Sequence, residues 1–321
     1  MSGCPIKLHS PLVSIIIVNW NGRELLTRCL AALSGQTRRD FEVVVVDNGS
    51  SDGSAEFLRR EHPGARLVAL DQNTGFAGGN NAGLAVSRGR FIVTLNNDME
   101  PCPDWLEKLA AGFERDPRIG SCVGKMFFYD RHDIINSAGD VLLFDGQGVN
   151  RGLNEKDRGH YEREEYVPAA TAGAAAYRRE MLEETGFFDE RYFAYFEDVD
   201  LSLRAIRRGW RCLYVPSAVA YHRHMSTTKK MGEDFLIFHA TRNKFWNILK
   251  DFPNMLIVPA LLYSLGGSLF FALRNSRKGA VPRNVARGII AAFERAREIR
   301  KKRIHSIVSA KEFVHALSLF N

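Results

Sequence analysis

Residues 13–19 have the sequence VSIIIVN, and residues 41–47 have the sequence FEVVVVD. Both runs are short, apolar and rich in β-branched residues, which is typical of strands buried on both faces of a sheet. A weaker strand is predicted at residues 66–70 and a fourth, FIVTL, at 91–95, with helix-length segments between the four. This alternation predicts an α/β fold, in which a mostly parallel, Rossmann-like sheet carries helices on both faces.

Polar side chains follow three of these strands at the points where the strands end. They are Asn19, Asp47 and the run Asn96-Asn97-Asp98. The carboxyl ends of parallel strands meet at one edge of the sheet, and ligands bind beyond that edge. The sequence therefore predicts a binding site built from these three clusters.

The second half of the chain adds a loop-rich segment and two further polar clusters. Residues 134–165 are rich in Gly, Asp and Arg with little periodicity, and we expect a long excursion that approaches a substrate. Glu197-Asp198 opens a predicted helix, and His222 and His224 follow a predicted closing strand.

A helical extension is predicted from residue 235, which divides the chain into a catalytic domain at 1–234 and a basic helical extension at 235–321. Residues 255–273 form a run of nineteen without a charge. That length is at the lower limit for a membrane span, and Pro259 and Gly266-Gly267 weaken the helix. The pattern favours a buried or interface-lying hairpin over a true span.

The net charge of +7 is concentrated near the C-terminus. Residues 274–303 hold eleven Lys or Arg against two Glu, so this segment carries +9 and the remainder carries −2. The basic helices predicted at residues 286–305 are suited to contact with anionic lipid. They carry no recognisable nucleic-acid-binding motif, so no nucleic acid partner is expected. Five scattered cysteines with no C-x-x-C pair favour a reducing cytoplasm, and no signal peptide is expected.

Each cluster has a functional and a plain structural interpretation. Asp47 is suited to accept the N3–H of uracil or thymine, or it is merely solvated beside a helix cap at Asp52 or Ser54. Asp98 is suited to hold a divalent cation on a diphosphate, or its run only makes a turn. Asp198 is suited to act as a general base, or it only caps a helix. The histidines lack partners for a zinc site.

Taken together and in order, these motifs resemble those of the family 2 glycosyltransferases, which have the GT-A fold. The matching runs are VSIIIVNWNG, VVVVDNGSSDGS, NTGFAGGNNAG, LNND, FDERYFAYFEDVDLSLRAIRRGW and VAYHRHMS. The runs RNKFWNILKDFP and KKRIHS resemble the bacterial rhamnosyltransferase-like branch of that family.

The resemblance implies a role for each of nine residues. The implied nucleotide-binding residues are Val18, Trp20, Asp47, Asn80 and Asn97; the implied metal ligands are Asp98 and His222; the implied catalytic base is Asp198, with Glu197 beside it in an orienting or acceptor-contacting role. Asparagine at 96 and 97 departs from the common D-x-D-type pattern and implies a modest metal affinity.

The activity implied by the resemblance is an inverting sugar transfer that depends on Mg²⁺ or Mn²⁺. The implied donor is dTDP-rhamnose or a UDP-sugar, and the implied acceptor is a hydroxyl of a cell-surface polysaccharide or a lipid-linked glycan. The implied location is the cytoplasm, with peripheral contact at the inner face of the plasma membrane.

Two alternatives stay open. A sugar-nucleotide pyrophosphorylase would need a Gly-rich, Arg- or Lys-bearing phosphate loop at residues 19–22, where the chain has Asn-Trp-Asn-Gly. A catalytically inactive relative that only binds the nucleotide sugar is disfavoured by the presence of Glu197, Asp198 and His222.

Overall fold

The structure is a computed structural model that describes residues 11–223, 231–277 and 279–318. His224 lies outside the described residues. The strands are β1 Val13–Asn19, β2 Phe41–Asn48, β3 Arg66–Leu70, β4 Phe91–Leu95, β5 Met99–Pro101, β6 Ile119–Phe128, β7 Arg131–Ser137, β8 Asp140–Leu142, β9 Gly148–Asn150, β10 Glu165–Val167, β11 Ala174–Arg178 and β12 Arg211–His222. The helices are α1 Arg23–Ser34, α2 Ser54–Glu61, α3 Gly75–Val86, α4 Trp105–Gly112, α5 Arg179–Thr185, α6 Glu197–Arg207, α7 Glu233–Asp251, α8 Asn254–Arg274, α9 Ala280–Glu294, α10 Ala296–Arg300 and α11 Ala310–Ser318.

The main sheet has the strand order β10-β12-β6-β11-β4-β1-β2-β3, with β5 paired to β12 and β7 paired to β6. Four of the seven neighbouring pairs along that order are parallel, namely β12–β6, β4–β1, β1–β2 and β2–β3. Strand β11 runs antiparallel to both of its neighbours. The prediction of a mostly parallel sheet is confirmed.

Both faces of the sheet are covered, as the apolar strands predict. Ile15 and Ile17 of β1 pack into one apolar cluster with residues of α1, α2 and α4, whereas Ile16 packs into the other with residues of α3, α5 and α6. Successive side chains of a strand point to opposite faces, so a strand covered on both sides must be apolar throughout.

Several local predictions were wrong at particular elements. Residues 134–165 contain the second half of β7, all of β8 and β9, and the first residue of β10. These strands are too short to show a periodic pattern. Residues 255–273 lie within the single continuous helix α8, not in a hairpin. Pro259 stands near the start of that helix, where it removes one backbone hydrogen bond and leaves the following turns intact.

The C-terminal helices share a core with the helix that carries the acidic pair. Val199 and Leu203 of α6 pack in one cluster with Phe245 and Trp246 of α7. Lys250 of α7 donates to Asp200 Oδ1 at 2.5 Å, with both side chains almost fully buried. A boundary at residue 234 stays a prediction, because α6 and α7 are joined by this shared core.

Candidate active site

A cavity of about 570 Å³ lies at the carboxyl ends of β1, β2 and β4. This volume is in the range of small-molecule binding sites. The lining also comes from the β8–β9 hairpin, the segment before β11, the start of α6 and the start of α7. Its polar members include Asn48, Asn73, Asn96, Asn97, Asp98, Asn136, Asp140, Gln147, Asn150, Thr171, Glu197, Asp198 and His222.

The ends of β1, β2 and β4 are joined by a chain of side-chain hydrogen bonds. Asn19 Nδ2 lies 3.5 Å from Asp47 Oδ1, because the parallel register sets these two residues side by side. Asn97 Nδ2 donates to Asn19 Oδ1 at 2.8 Å. Gly22 permits this contact, since a Cβ atom there would lie 2.3 Å from Asn97 Nδ2. The three strand ends therefore form one cross-braced platform.

Asp98 and His222 come together through the pairing of β5 with β12, which sets Met99 opposite His222. His222 Nε2 lies 3.2 Å from Asp98 Oδ1, and His222 Nδ1 donates to Asn136 Oδ1 at 3.0 Å. When the imidazole is neutral with its hydrogen on Nδ1, Nε2 carries the lone pair and faces the carboxylate. Asp98 Oδ1 is buried and accepts no hydrogen bond from the described residues.

Two lone-pair atoms at this separation fit a divalent cation. Two ligands at right angles around one ion, each about 2.1 Å from it, lie about 3 Å apart. No group of three or more His, Cys, Asp or Glu side chains in the described part of the chain is placed to hold a metal ion. The pair therefore suits an ion whose other ligands come from a diphosphate or water.

The acidic pair lies at the first turn of α6. Asp198 is partly exposed to the cavity, and its carboxylate accepts hydrogen bonds from the backbone N–H groups of Ala172 at 3.1 Å and Val199 at 2.9 Å. Desolvation raises the pKa of Asp198 above its ordinary value, although these two bonds act to lower it. Burial, together with the charge of Asp198, raises the pKa of Glu197 well above its usual range. Of the two carboxylates, Asp198 is the more exposed to the cavity.

The loop before the acidic pair is strained. Phe193, Tyr195 and Phe196 have φ values of 66°, 71° and 64°, in the left-handed region that side chains other than glycine avoid. Each such residue costs about 1–3 kcal/mol and persists only where its surroundings hold it. All three residues line the cavity.

Asn243 of α7 holds this loop in place. Its buried Nδ2 lies 3.1 Å from the carbonyl oxygen of Tyr192, 3.0 Å from that of Ala194 and 2.7 Å from that of Tyr195. On the other side, the N–H of Ala77 in α3 donates to the carbonyl of Phe193 at 3.1 Å. The strained loop is therefore fixed from two helices that are remote from each other in sequence.

The structure brings most of the predicted site residues to one cavity. Those in its lining are Val18, Trp20, Asn97, Asp98, Glu197, Asp198 and His222. Asp47 is buried and precedes the lining residue Asn48. Asn80 is buried inside α3, where its Nδ2 donates to the Phe76 carbonyl at 2.9 Å. Neither Asp47 nor Asn80 is part of the lining.

Sequence reasoning missed Asn136, Asp140 and Asn243. The first two lie in the segment that was predicted to approach a substrate, but an isolated Asn or Asp among many polar residues gives no signal of its own. Asp140 is buried, and desolvation, together with the charge of Asp198, raises its pKa well above the usual value. Asn243 lies in the run RNKFWN, which was noted for resemblance but not assigned a role.

A mostly parallel sheet with helices on both faces and a polar cavity at its carboxyl edge has the architecture of the GT-A glycosyltransferases. Among solved structures, GalNAc-T7 with UDP, GalNAc and Mn²⁺ aligns with a TM-score of 0.64 at 17% identity, covering 97% of this chain and 57% of that one. At this identity the likeness shows the shared fold.

The family follows from the sequence match. Residues 14–186, just over half of the chain, match the model of glycosyl transferase family 2, so the chain belongs to that family and is a glycosyltransferase. The N-acetylglucosaminyl-diphospho-decaprenol L-rhamnosyltransferase of Mycobacterium tuberculosis is 27% identical over 250 residues, which are 71% of this chain and 81% of that protein. The O-antigen biosynthesis protein RfbC of Myxococcus xanthus is 30% identical over 231 residues, which are 69% of this chain and 18% of that protein. Membership of this family excludes the sugar-nucleotide pyrophosphorylase alternative.

Proposed function

We propose that this glycosyltransferase moves a sugar from dTDP-rhamnose or a UDP-sugar, with inversion, to a hydroxyl of a cell-surface polysaccharide or a lipid-linked glycan. The observation that carries the proposal is that Asp198 and the Asp98–His222 pair face the same cavity. The rhamnosyltransferase of M. tuberculosis supports the choice of sugar and of a lipid-linked acceptor.

The donor lies, in this proposal, along the platform of strand ends. Val18 and Trp20 flank the base, Asp47 accepts the N3–H of uracil or thymine, and Asn97 contacts the ribose or the sugar. Asn80 is assigned to nucleotide contact by resemblance alone; its present hydrogen bond lies within its own helix. Asp47 must become accessible beside Asn48 for a base to reach it, which makes it the most demanding of these assignments.

Asp98 and His222 would hold a Mg²⁺ or Mn²⁺ ion. When bound, such an ion offsets the negative charge that builds up on a departing nucleoside diphosphate. An imidazole ligand favours Mn²⁺ slightly over Mg²⁺. Asn136 accepts a hydrogen bond from His222 Nδ1 and so orients the ring with Nε2 toward Asp98.

Asp198 removes the proton from the acceptor hydroxyl, which then attacks the anomeric carbon as the bond to the diphosphate breaks. A single displacement of this kind inverts the anomeric configuration. The raised pKa of Asp198 makes it a stronger base than an exposed aspartate. Glu197, whose pKa is raised well above its usual range by burial and by the charge of Asp198, lies beside Asp198 in an orienting or acceptor-contacting role.

The proposal places the enzyme in the cytoplasm, in peripheral contact with the inner face of the plasma membrane. It assigns residues 1–234 to the catalytic domain and residues 235–321 to the helical extension. The basic segment at residues 274–303 supports contact with anionic lipid.

A panel of nucleotide sugars tests the donor without knowledge of the acceptor. The purified protein is mixed with dTDP-rhamnose, UDP-glucose, UDP-N-acetylglucosamine or GDP-mannose, in Mn²⁺, Mg²⁺ or EDTA, and the melting temperature and donor hydrolysis are measured. We expect a dTDP or UDP sugar to stabilise the protein, and only with a divalent ion present. Stabilisation by GDP-mannose alone, or equal stabilisation in EDTA, would contradict the proposal.

A further inference from the structure

Helix α8 presents an exposed apolar face of unusual size. The helix has 21 residues and a mean hydropathy of 2.0 over its most apolar window, yet only 22% of that window is buried. Large side chains between 46% and 73% exposed make up this outer face, which we call the α8 face: Met255, Val258, Leu262, Tyr263, Leu269, Phe270, Phe271 and Leu273.

The α8 face runs along one side of the helix. Met255, Val258, Leu262, Leu269 and Leu273 follow one another at steps of three, four, seven and four residues, with the exposed Gly266 between Leu262 and Leu269. At 1.5 Å per residue, that side is about 27 Å long. Soluble monomers rarely expose so much contiguous apolar surface without a partner.

The opposite side of α8 packs against the rest of the protein. Ile257, Ala260, Ser264 and Ser268 are buried there, and α8 packs against α7 and α9. A helix with one side packed on its own domain and the other side exposed and apolar is built to lie along a surface rather than to cross a bilayer.

The charges in and after α8 favour a lipid surface over a protein as the partner of the α8 face. Helix α8 contains no acidic residue, and the next four cationic side chains that the structure describes, Arg274, Arg277, Arg283 and Arg287, are all exposed. They belong to the segment that carries +9. An apolar strip followed along the chain by exposed arginines matches an anionic leaflet, whose headgroups would meet the guanidinium groups while the acyl chains take up the strip.

The α8 face also reaches the active site. Phe144, in the turn between β8 and β9, lies with its ring centroid 6.1 Å from that of Tyr263. The same turn closes with the N–H of Leu143 donating to the carbonyl of Gln147, and Gln147 lines the cavity. Phe144 is itself 37% exposed, so apolar surface continues from α8 to the hairpin at the cavity.

We propose that the α8 face is the membrane-docking surface of this enzyme, and that it lies in one leaflet of an anionic bilayer with the β8–β9 hairpin turned toward the headgroups. This orientation brings the cavity to the level at which a lipid carrier presents its glycan. The part that concerns the acceptor rests on the proposed function; the docking surface does not.

Vesicle flotation of the full chain tests the surface. Vesicles of phosphatidylcholine alone are compared with vesicles of phosphatidylcholine and phosphatidylglycerol at three to one. We expect the wild type to float with the anionic vesicles, and the double variant Leu262→Glu/Phe270→Glu to bind them at least ten-fold more weakly. Ile307→Glu is the matched control, because Ile307 is 60% exposed and lies against the end of α6, where its N–H donates to the Arg207 carbonyl. It should bind like the wild type.

Three further results would overturn the proposal. They are equal binding of the double variant and the wild type, equal binding to both kinds of vesicle, and a wild-type dimer without vesicle binding that the double variant converts to a monomer. Donor hydrolysis in free solution should be the same for all three proteins. Loss of vesicle binding with hydrolysis intact supports docking whatever the acceptor proves to be, whereas absence of hydrolysis in the wild type bears on the proposed function alone.

Discussion

The cavity has two sides that are built differently. The proposed donor side consists of Asn97, which lines the cavity, and of Asn19 and Asp47 behind it, at the ends of adjacent strands where the register of the sheet sets their positions. The proposed catalytic side consists of the strained loop at residues 193–196 and the acidic pair that follows it, and α7 holds the loop by the side chain of Asn243. In the proposed function, donor binding therefore depends on the register of paired strands, whereas transfer depends on the tertiary contact that one side chain of α7 makes.

The largest expected effect is on the catalytic side. Asp198→Asn keeps the shape of the side chain and removes the base, so transfer should fall by about 10²–10⁴. Donor affinity should stay within about two-fold, because the platform of strand ends is untouched. Steady-state transfer and calorimetric titration with the nucleotide measure the two quantities. Normal transfer by this variant would refute the role of Asp198.

Asn243→Ala tests the tertiary contact. It removes the side chain that contacts three carbonyl groups, so the strained loop should relax and kcat should fall by about 10–100-fold, while the donor KM changes little. The free energy of unfolding should fall by about 1–3 kcal/mol. Asn275→Ala is the control, since its exposed amide donates only within the end of α8, to Phe271. An unchanged kcat, measured well below the melting temperature, would show that the loop keeps its conformation without the side chain of Asn243.

Asn136→Ala tests the orientation of His222. Without the acceptor for Nδ1–H, the ring loses a hydrogen bond that orients it, and Mn²⁺ affinity in the presence of UDP should fall by about 10–100-fold. Asn150→Ala is the matched control, because Asn150 also lines the cavity but donates to the backbone of residue 136. Equal Mn²⁺ affinities of the two variants, measured by electron paramagnetic resonance, would argue against the metal pair.

On the donor side, Asp47→Ala should raise the donor KM by about ten-fold and leave kcat unchanged, because one hydrogen bond to the base is lost. Asp71→Ala removes an exposed carboxylate just after β3 and serves as the control. An unchanged donor KM for Asp47→Ala would mean that the buried carboxylate only holds Asn19 in place.

The smallest effect is a displaced pH profile. Asp198 acts as a base only when ionised, and its pKa is raised above the ordinary 3.8, so kcat/KM should begin to fall at a higher pH than for an exposed aspartate. The acid limb belongs to the coupled pair of Glu197 and Asp198. Nucleotide binding over the same range should be flat. A parallel fall in both would place the titrating group on the donor side.

The two sides also differ in how far they were predictable. β1 and β4 begin and end where their apolar runs do, and Asn19 and Asp98 follow from those ends. The acidic pair was recognisable because it opens an amphipathic helix. Asn243 was not, since nothing local marks an asparagine in a helix as a clamp on residues 192–195. Asn136 could not be recognised for the same reason, because its role depends on a contact with His222 of β12, which lies some 80 residues further along the chain.

The location of Asn243 has a consequence for the order in which the enzyme becomes active during its synthesis. All the strand ends of the donor side have left the ribosome long before residue 243 emerges. A chain that ends before residue 243 therefore lacks the side chain that holds the loop before Asp198, although it contains every residue of the strand ends. In the proposed function, the chain becomes able to transfer sugar only after α7 has been synthesised, because α7 is the later of the two helices, α3 and α7, that hold the loop.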